Sequence, residues 1–324
     1  MVDQMVVPLR ALAGVAVDAL RWRQGGQLHV AVVAKATLAL VADGAMTLMQ
    51  PEPVLRADEH HGGSPAQSLR RPSELVPWRR RVDVTANGFA CTIHNEPLPA
   101  TTVRLAIFRG SQPLLDKNLY IYGDRESQGT QAGPPQPFTR MPLWYERAHA
   151  DDSNPTGVPP DQHANIHDPD RPGGAAGFGP ISRYAKARRA LLGSADRKAV
   201  EGQQVEEEAV AELPDGFDGE YFQAAPRDQQ LAQLAGDEWI VLDGFDGDHQ
   251  RIASQLPAIR AEALLLATEA SAAQAAGLDA AWRYRPLRLA IDALHVDGEH
   301  GRVTVTWRGS FAVTDVAALA ALRV

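Results

Sequence analysis

The sequence predicts a β-rich α+β fold: antiparallel sheets, sandwich or barrel-like, with a few short helices and a long ordered central loop rich in proline and glycine. Three observations carry this expectation. Runs of β-branched and alternating residues recur through both ends of the chain, with turn residues between them. Two Asp-Gly pairs, at 43–44 and 297–298, each sit between such runs, as hairpins require. Residues 133–184 hold ten of the 23 prolines. Proline fixes φ and removes a donor, so that stretch runs as turns and extended pieces.

Taken in order, residues 29–40 (His-Val-Ala-Val-Val-Ala-Lys-Ala-Thr-Leu-Ala-Leu) read as the opening strand, paired through Asp43-Gly44 with residues 46–49. Residues 51–77 read as loop, with the polar cluster Asp58, Glu59, His60 and His61 near its start. Residues 81–91, 102–108 and 114–122 are three strands whose close spacing predicts an antiparallel meander. After the central loop, residues 185–192 carry helix formers and the acidic run at 201–212 reads as a solvated face. Pro226 at a first helical position and Gly236 just past an end predict a short helix, with Leu231 and Leu234 inward. Residues 239–242, 250–256, 259–266, 289–296 and 302–313 return to strand patterns, with an alanine-rich helix over 268–282 and a helical turn or two over 316–322. The organisation is a β-rich part (1–132), a central region (133–236) and a second β-rich part (237–324), integrated as one domain.

Composition bounds the function. A chain of 324 residues, 44% hydrophobic, is long enough for one large core or two smaller ones. Its net charge of −8 opposes general binding to nucleic acid or an anionic membrane, both of which need a basic field. One cysteine, Cys91, excludes an internal disulfide framework and a cysteine-rich zinc site, and its alternating context reads as a buried structural thiol. Residues 1–14 lack the basic head and apolar core of a signal peptide, and no stretch reaches the roughly 20 apolar residues of a membrane span. The expected location is the cytoplasm.

The central loop is not written as a linker. Phe138, Met141, Leu143, Trp144, Tyr145, Phe178 and Ile181 are large apolar groups that disordered segments lack. Long loops with such anchors are commonly functional. The loop also gathers His149, Asp151, Asp152, His163, His167, Asp168 and Asp170, residue types that ligate zinc or iron. A metal-dependent hydrolase built on residues 149–170 is therefore one alternative. The histidines lie among prolines rather than on a helix frame, however, so the expectation is loop-stapling polar residues and no bound metal or cofactor. No Gly-x-Ser-x-Gly elbow, dinucleotide fingerprint or Walker lysine occurs, and Gly173 to Gly179 reads as backbone shaping. Residues 217–230 are dense in aromatic and forked polar side chains, which serve interfaces and internal scaffolds alike.

These residues carry a resemblance. Residues 137–148 (Pro-Phe-Thr-Arg-Met-Pro-Leu-Trp-Tyr-Glu-Arg-Ala), Asn154-Pro155, Asp168-Pro169, residues 177–183 (Gly-Phe-Gly-Pro-Ile-Ser-Arg), Phe217-Asp218, Phe222 and residues 224–230 resemble the signature of the bacterial domain-of-unknown-function family 2169. The likeness extends to residues 33–37, Ser68-Leu69, residues 81–84, Gly123-Asp-Arg125 and residues 305–308. His149 to Asp152 stands where a Gly-Gly is usual. The resemblance implies a cytoplasmic adaptor or chaperone encoded beside type VI secretion genes, which helps load a toxic effector onto the spike complex. Its implied partners are a secreted effector or a spike-tip protein; nucleic acid and membrane are not among them. A structural component of a secretion or phage-like particle is a further alternative.

The positions expected to form the partner-binding or signature surface fall in four groups. The first is Phe138, Arg140, Pro142, Leu143, Trp144, Tyr145, Glu146 and Arg147, followed by Asn154 and Pro155. The others are Gly177, Phe178, Gly179, Pro180 and Arg183, and then Phe217, Asp218, Phe222, Pro226, Asp228 and Gln229.

Overall fold

A computed structural model describes residues 14–128, 131–181, 211–245, 251–266 and 284–313. Nine strands make the frame: β1 (Ala16–Gln24), β2 (Gln27–Ala39), β3 (Val82–Asn87), β4 (Ala100–Arg109), β5 (Gln112–Tyr122), β6 (Trp239–Asp243), β7 (Arg251–Gln255), β8 (Ala290–Asp297) and β9 (Arg302–Ala312). Together with short pieces they form two large sheets. The larger runs in the order Ala211–Leu213, β1, β2, β9, β8, β3, Gln230–Leu231, and the smaller in the order Ile166–His167, β5, β4, β6, β7, Gly44–Ala45. Neither sheet closes into a barrel in the described residues, and their helices are single 3-10 turns.

Each strand has a local reason. β1 and β2 turn through Gly25 and Gly26, both at positive φ, which is the geometry a two-residue hairpin needs. This first strand was not expected from its own residues, although Gly-Gly is its signal. The hairpin at Asp43-Gly44 does form, pairing Leu38 with Leu48, while Gly44–Ala45 also joins β7 in parallel. The last hairpin, β8 to β9, pairs Asp297 with Arg302 as expected. β9 lies between β2 and β8, so the two ends of the chain share one sheet.

Two expectations fail. Residues 81–122 do not make a meander: β3 pairs in parallel with β8 in the larger sheet, whereas β4 and β5 form a hairpin in the smaller one. Between them the chain breaks at Gly88, and Phe89–Cys91 leaves to pair with Arg140–Pro142. Cys91 is half-buried there. The helix over 226–236 is also absent. Arg227–Gln229 is one 3-10 turn, and Gln230–Leu231 then adds to the edge of β3. Ladder bonds to β3 and burial of Leu231 outweigh the weak local preference for helix. The helices expected over 185–192, 268–282 and 316–322, the acidic run at 201–210, and Arg183 lie outside the described residues.

One apolar cluster takes side chains from both sheets, among them Val30, Val32 and Ala34 of β2, Leu105 and Ile107 of β4, and Leu119 and Ile121 of β5. It also takes Met141, Leu143, Tyr145 and Phe178 from the central loop, so the loop is part of the core. The other face of the larger sheet is covered differently. Ala31, Val33, Lys35 and Thr37 of β2 point to it, beneath residues 52–78, with Val54, Leu75 and Val76 as its apolar portion.

Candidate functional site

The signature positions among residues 138–180 and 226–229 meet at one flank of the two sheets, and their side chains are largely spent on holding main chain. Gln229 is fully buried. Its Nε2 donates to the carbonyls of Val84 on β3 and Phe178 in the loop, each at 2.8 Å, and its Oε1 accepts from Lys117 Nζ on β5 at 2.8 Å. One amide thereby ties both sheets to the loop. Lys117 also meets Asp228 at 2.7 Å, and burial pushes its pKa below the ordinary lysine range.

The same device recurs. Asn154, 2% exposed, donates to the carbonyls of Tyr145 and His149 at 2.8 and 3.0 Å. Asn165 donates to Tyr122 O and accepts from Arg147, which also pairs with Asp124 at 3.0 Å. Glu146 accepts from the backbone N and Oγ of Ser68 at 2.5 and 2.6 Å. Asp151 accepts from the N–H groups of Ser153, Asn154 and Ala175, which caps the turn and holds its pKa below the usual carboxylate range against the opposing effect of burial. Irregular backbone cannot satisfy itself through a ladder, and buried N–H and C=O groups must be paired. Side-chain amides and carboxylates take over that task here.

The aromatic anchors lock the shape. Phe178 is fully buried against Phe245, at 5.4 Å between centroids, and its carbonyl accepts from Ala86 N. Tyr145 donates to Gly179 O at 3.2 Å; burial raises its pKa above the ordinary tyrosine value. Gly177 passes so close to the Tyr145 ring that a Cβ would stand 2.7 Å from it. Trp144 stacks on His61 at 4.7 Å, and burial lowers the His61 pKa to about 4. Phe222 and Phe217 join Trp78 and Trp22 in a separate aromatic cluster. Phe138 is half-buried and bridges Leu98.

Of the expected surface positions, then, Leu143, Tyr145, Asn154, Gly177, Phe178, Gly179, Pro180, Phe222, Pro226 and Gln229 are buried. They shape the flank from beneath. Arg140, Pro155, Asp218 and Asp228 are exposed, and Pro142, Trp144, Glu146 and Arg147 are half-buried. Arg140 lies 3.5 Å over the Phe89 ring and 3.9 Å from Glu299. At the meeting point of the loop and residues 220–230 is a cleft of about 290 Å³ lined by Tyr145, Ile181, Gln223, Pro226, Arg227 and Asp228, with Arg171 and Glu220 at its side.

The histidine and aspartate residues of the loop do not gather into one donor set. His149 and His167 meet edge to face at 5.6 Å, His167 Nε2 lies 2.9 Å from Ala164 O, and Asp168 caps Asp170 N. Among the described residues no three His, Cys, Asp or Glu side chains are placed to hold a metal ion. In the cluster at 58–61, Asp58 accepts from Ser73 N, and His60 Nδ1 lies 2.8 Å from Gln67 O.

Sequence reasoning missed the polar layer on the outer face of the larger sheet. Lys35, fully buried, contacts Glu74 at 2.9 Å, Glu52 at 3.8 Å and Pro53 O at 3.2 Å. Glu52 also meets Arg71 and Arg302, at 2.8 and 2.7 Å, and Arg302 meets Asp297. Further along, Arg308 bonds Asp292 and the carbonyls of Val76 and Glu74, while Arg79 lies 3.3 Å from Asp83. Burial pushes Asp83 up, and Arg79 and the N–H of Ala224 pull it back. A lysine, an aspartate and an arginine inside otherwise apolar strand patterns were the available signal.

A two-sheet frame with irregular backbone sewn to it by buried amides defines a β-sandwich scaffold. The chain belongs to the family described as uncharacterized protein conserved in bacteria (DUF2169), whose model matches residues 25–308. No curated protein and no solved structure matches it. No described helix is long and apolar enough to cross a membrane.

Proposed function

We propose that this chain is a non-catalytic cytoplasmic adaptor or chaperone that binds a type VI secretion effector and helps load it onto the spike complex. The observation that carries the reading is Gln229, whose buried amide fixes the central loop against both sheets. A surface held in one conformation before its partner arrives loses little ordering entropy on binding. The polar side chains of the signature are engaged in hydrogen bonds to backbone rather than aimed together at a substrate, which favours binding over catalysis. The partner is the secreted effector, a spike-tip protein, or both in turn.

Deleting the gene tests the reading. Secretion of one cargo should stop while the tube protein is still secreted, and the cargo should co-elute with this chain on size exclusion. Loss of tube secretion as well would identify a structural component of the particle. Unchanged cargo secretion would refute the adaptor role.

A further inference from the structure

A second concavity, distinct from the signature cleft, opens at one end of the larger sheet. Its volume is about 820 Å³. β3 joins β8 in parallel only from the pair Asp83 and Ala293 onward. Ahead of that pair, among the described residues, Ala290 and Ile291 pair with Arg308 and Trp307 of β9 on one side and line the groove on the other; Asp292 is bulged out of the register, and Leu289 N donates to Ala261 O. One wall is the segment after Leu231; the opposite wall is residues 259–262 and Arg288, where the Glu262–Leu266 and Tyr284–Arg288 hairpin begins. The floor is Trp307 with Leu289 and Ile291, an apolar strip beneath a strand edge.

The charge of this groove is opposite to that of the chain. Six of its lining residues are arginines and two are acidic, in a protein of net charge −8. Arg79 and Arg308 are neutralised by Asp83 and Asp292 on the outer face of the sheet, and Arg80 pairs with Asp218 at 3.2 Å. Arg81, Arg260 and Arg288 are exposed, and no ion pair engages them in the described residues. Arg79 Nη1 and Asp292 Oδ1, beneath them, face each other as an ion pair at 3.5 Å.

We propose that this groove binds an extended acidic peptide segment of the partner, laid along the Ala290–Ile291 edge, with apolar side chains on the Trp307 floor and the carboxylates between on Arg81, Arg260 and Arg288. Strand addition supplies main-chain hydrogen bonds, and pockets for alternate side chains supply selectivity. Opposite charge at the rim speeds encounter and excludes basic segments. A peptide is favoured over nucleic acid because the surrounding chain is acidic and the floor is apolar and strand-edged. The proposal rests on the adaptor reading for the identity of the partner and on the groove alone for its chemistry.

Fluorescence polarisation of the full chain with a labelled peptide of alternating glutamate and valine tests it. Saturable binding is expected, weakening with salt and falling roughly tenfold or more in Arg81→Glu/Arg288→Glu. Arg251→Glu, a single charge reversal on β7 outside the groove, should bind as the parent does. No saturable binding, equal binding by the double variant, or equal binding of a single-stranded oligonucleotide would overturn the assignment. Co-elution of parent and double variant alike with a cargo would leave the adaptor reading standing while removing this groove from it.

Discussion

The two faces of the larger sheet are covered by the same chain in opposite ways. The inner face is apolar: Val30, Val32 and Ala34 of β2 and Leu294 and Val296 of β8 meet the smaller sheet and the Phe178 ring in one cluster. The outer face alternates with it residue by residue, and there Lys35, Asp83 and Arg308 lie buried, with His295 half-buried, among Glu52, Glu74, Arg71 and Arg79. Dispersion and water exclusion hold the first face whatever the detailed geometry. The second holds only if every charge has its partner, because desolvation of an ion costs several kcal/mol unless it is repaid by contacts. The apolar face therefore supplies most of the stability, and the ionic face fixes where residues 52–78 and 217–225 sit.

Substitutions separate the two. Phe178→Ala leaves a cavity where both sheets and the loop meet, and should cost about 3–5 kcal/mol in chemical denaturation. On the ionic face, Lys35→Met strips Glu74 of its closest cation, while Glu52 keeps Arg71 and Arg302, and should cost about 3 kcal/mol. Removing Glu74 with it, as Lys35→Met/Glu74→Leu, should recover part of that loss; a double variant as unstable as the sum of both singles would show that the pair contributes packing rather than charge balance.

Acid should act on the ionic face next. Burial holds the His295 pKa at about 3, with Thr85 and Asn87 on its two ring nitrogens. His61 is held at about 4. The unfolded chain takes up these protons near the ordinary histidine value of about 6.5, so it is favoured as pH falls through the window from there down to the folded values. Stability should drop by about 1–2 kcal/mol per histidine between pH 7 and pH 5. A flat melting temperature over that range would contradict the neutral rings, and His295→Gln should reduce the slope. The smallest effect belongs to the exposed pair Arg104 and Asp116, 2.7 Å apart on the hairpin of β4 and β5. Arg104→Ala should cost no more than about 0.5 kcal/mol after solvent screening.

This contrast also explains what could be read from the sequence. Apolar alternation announced β2, β4, β5, β8 and β9, because one buried face imposes a period of two. The outer face announced itself only as isolated polar residues, Lys35 within Val-Val-Ala-Lys-Ala-Thr and Asp83 within Val-Asp-Val, whose partners other than Arg79 lie tens of residues away. The aromatic anchors of the loop were recognisable as anchors, yet whether Phe178 faced outward or inward depended on Gln229 and Phe245. Residues 226–236 had the punctuation of a helix, and long-range pairing with β3 decided otherwise.

Amide hydrogen exchange of residues 133–181, resolved to single sites, tests most directly whether the loop is held rigid by its frame. Leu143 donates to Gly88 O, Val158 to Ala148 O and Ala175 to the Asp151 carboxylate. These three amides should be protected as strongly as those in the centre of β2, with the protein alone in solution. Exchange at the rate of an unstructured chain would mean that the loop is not preorganised, and the account of it as a fixed binding surface would fail.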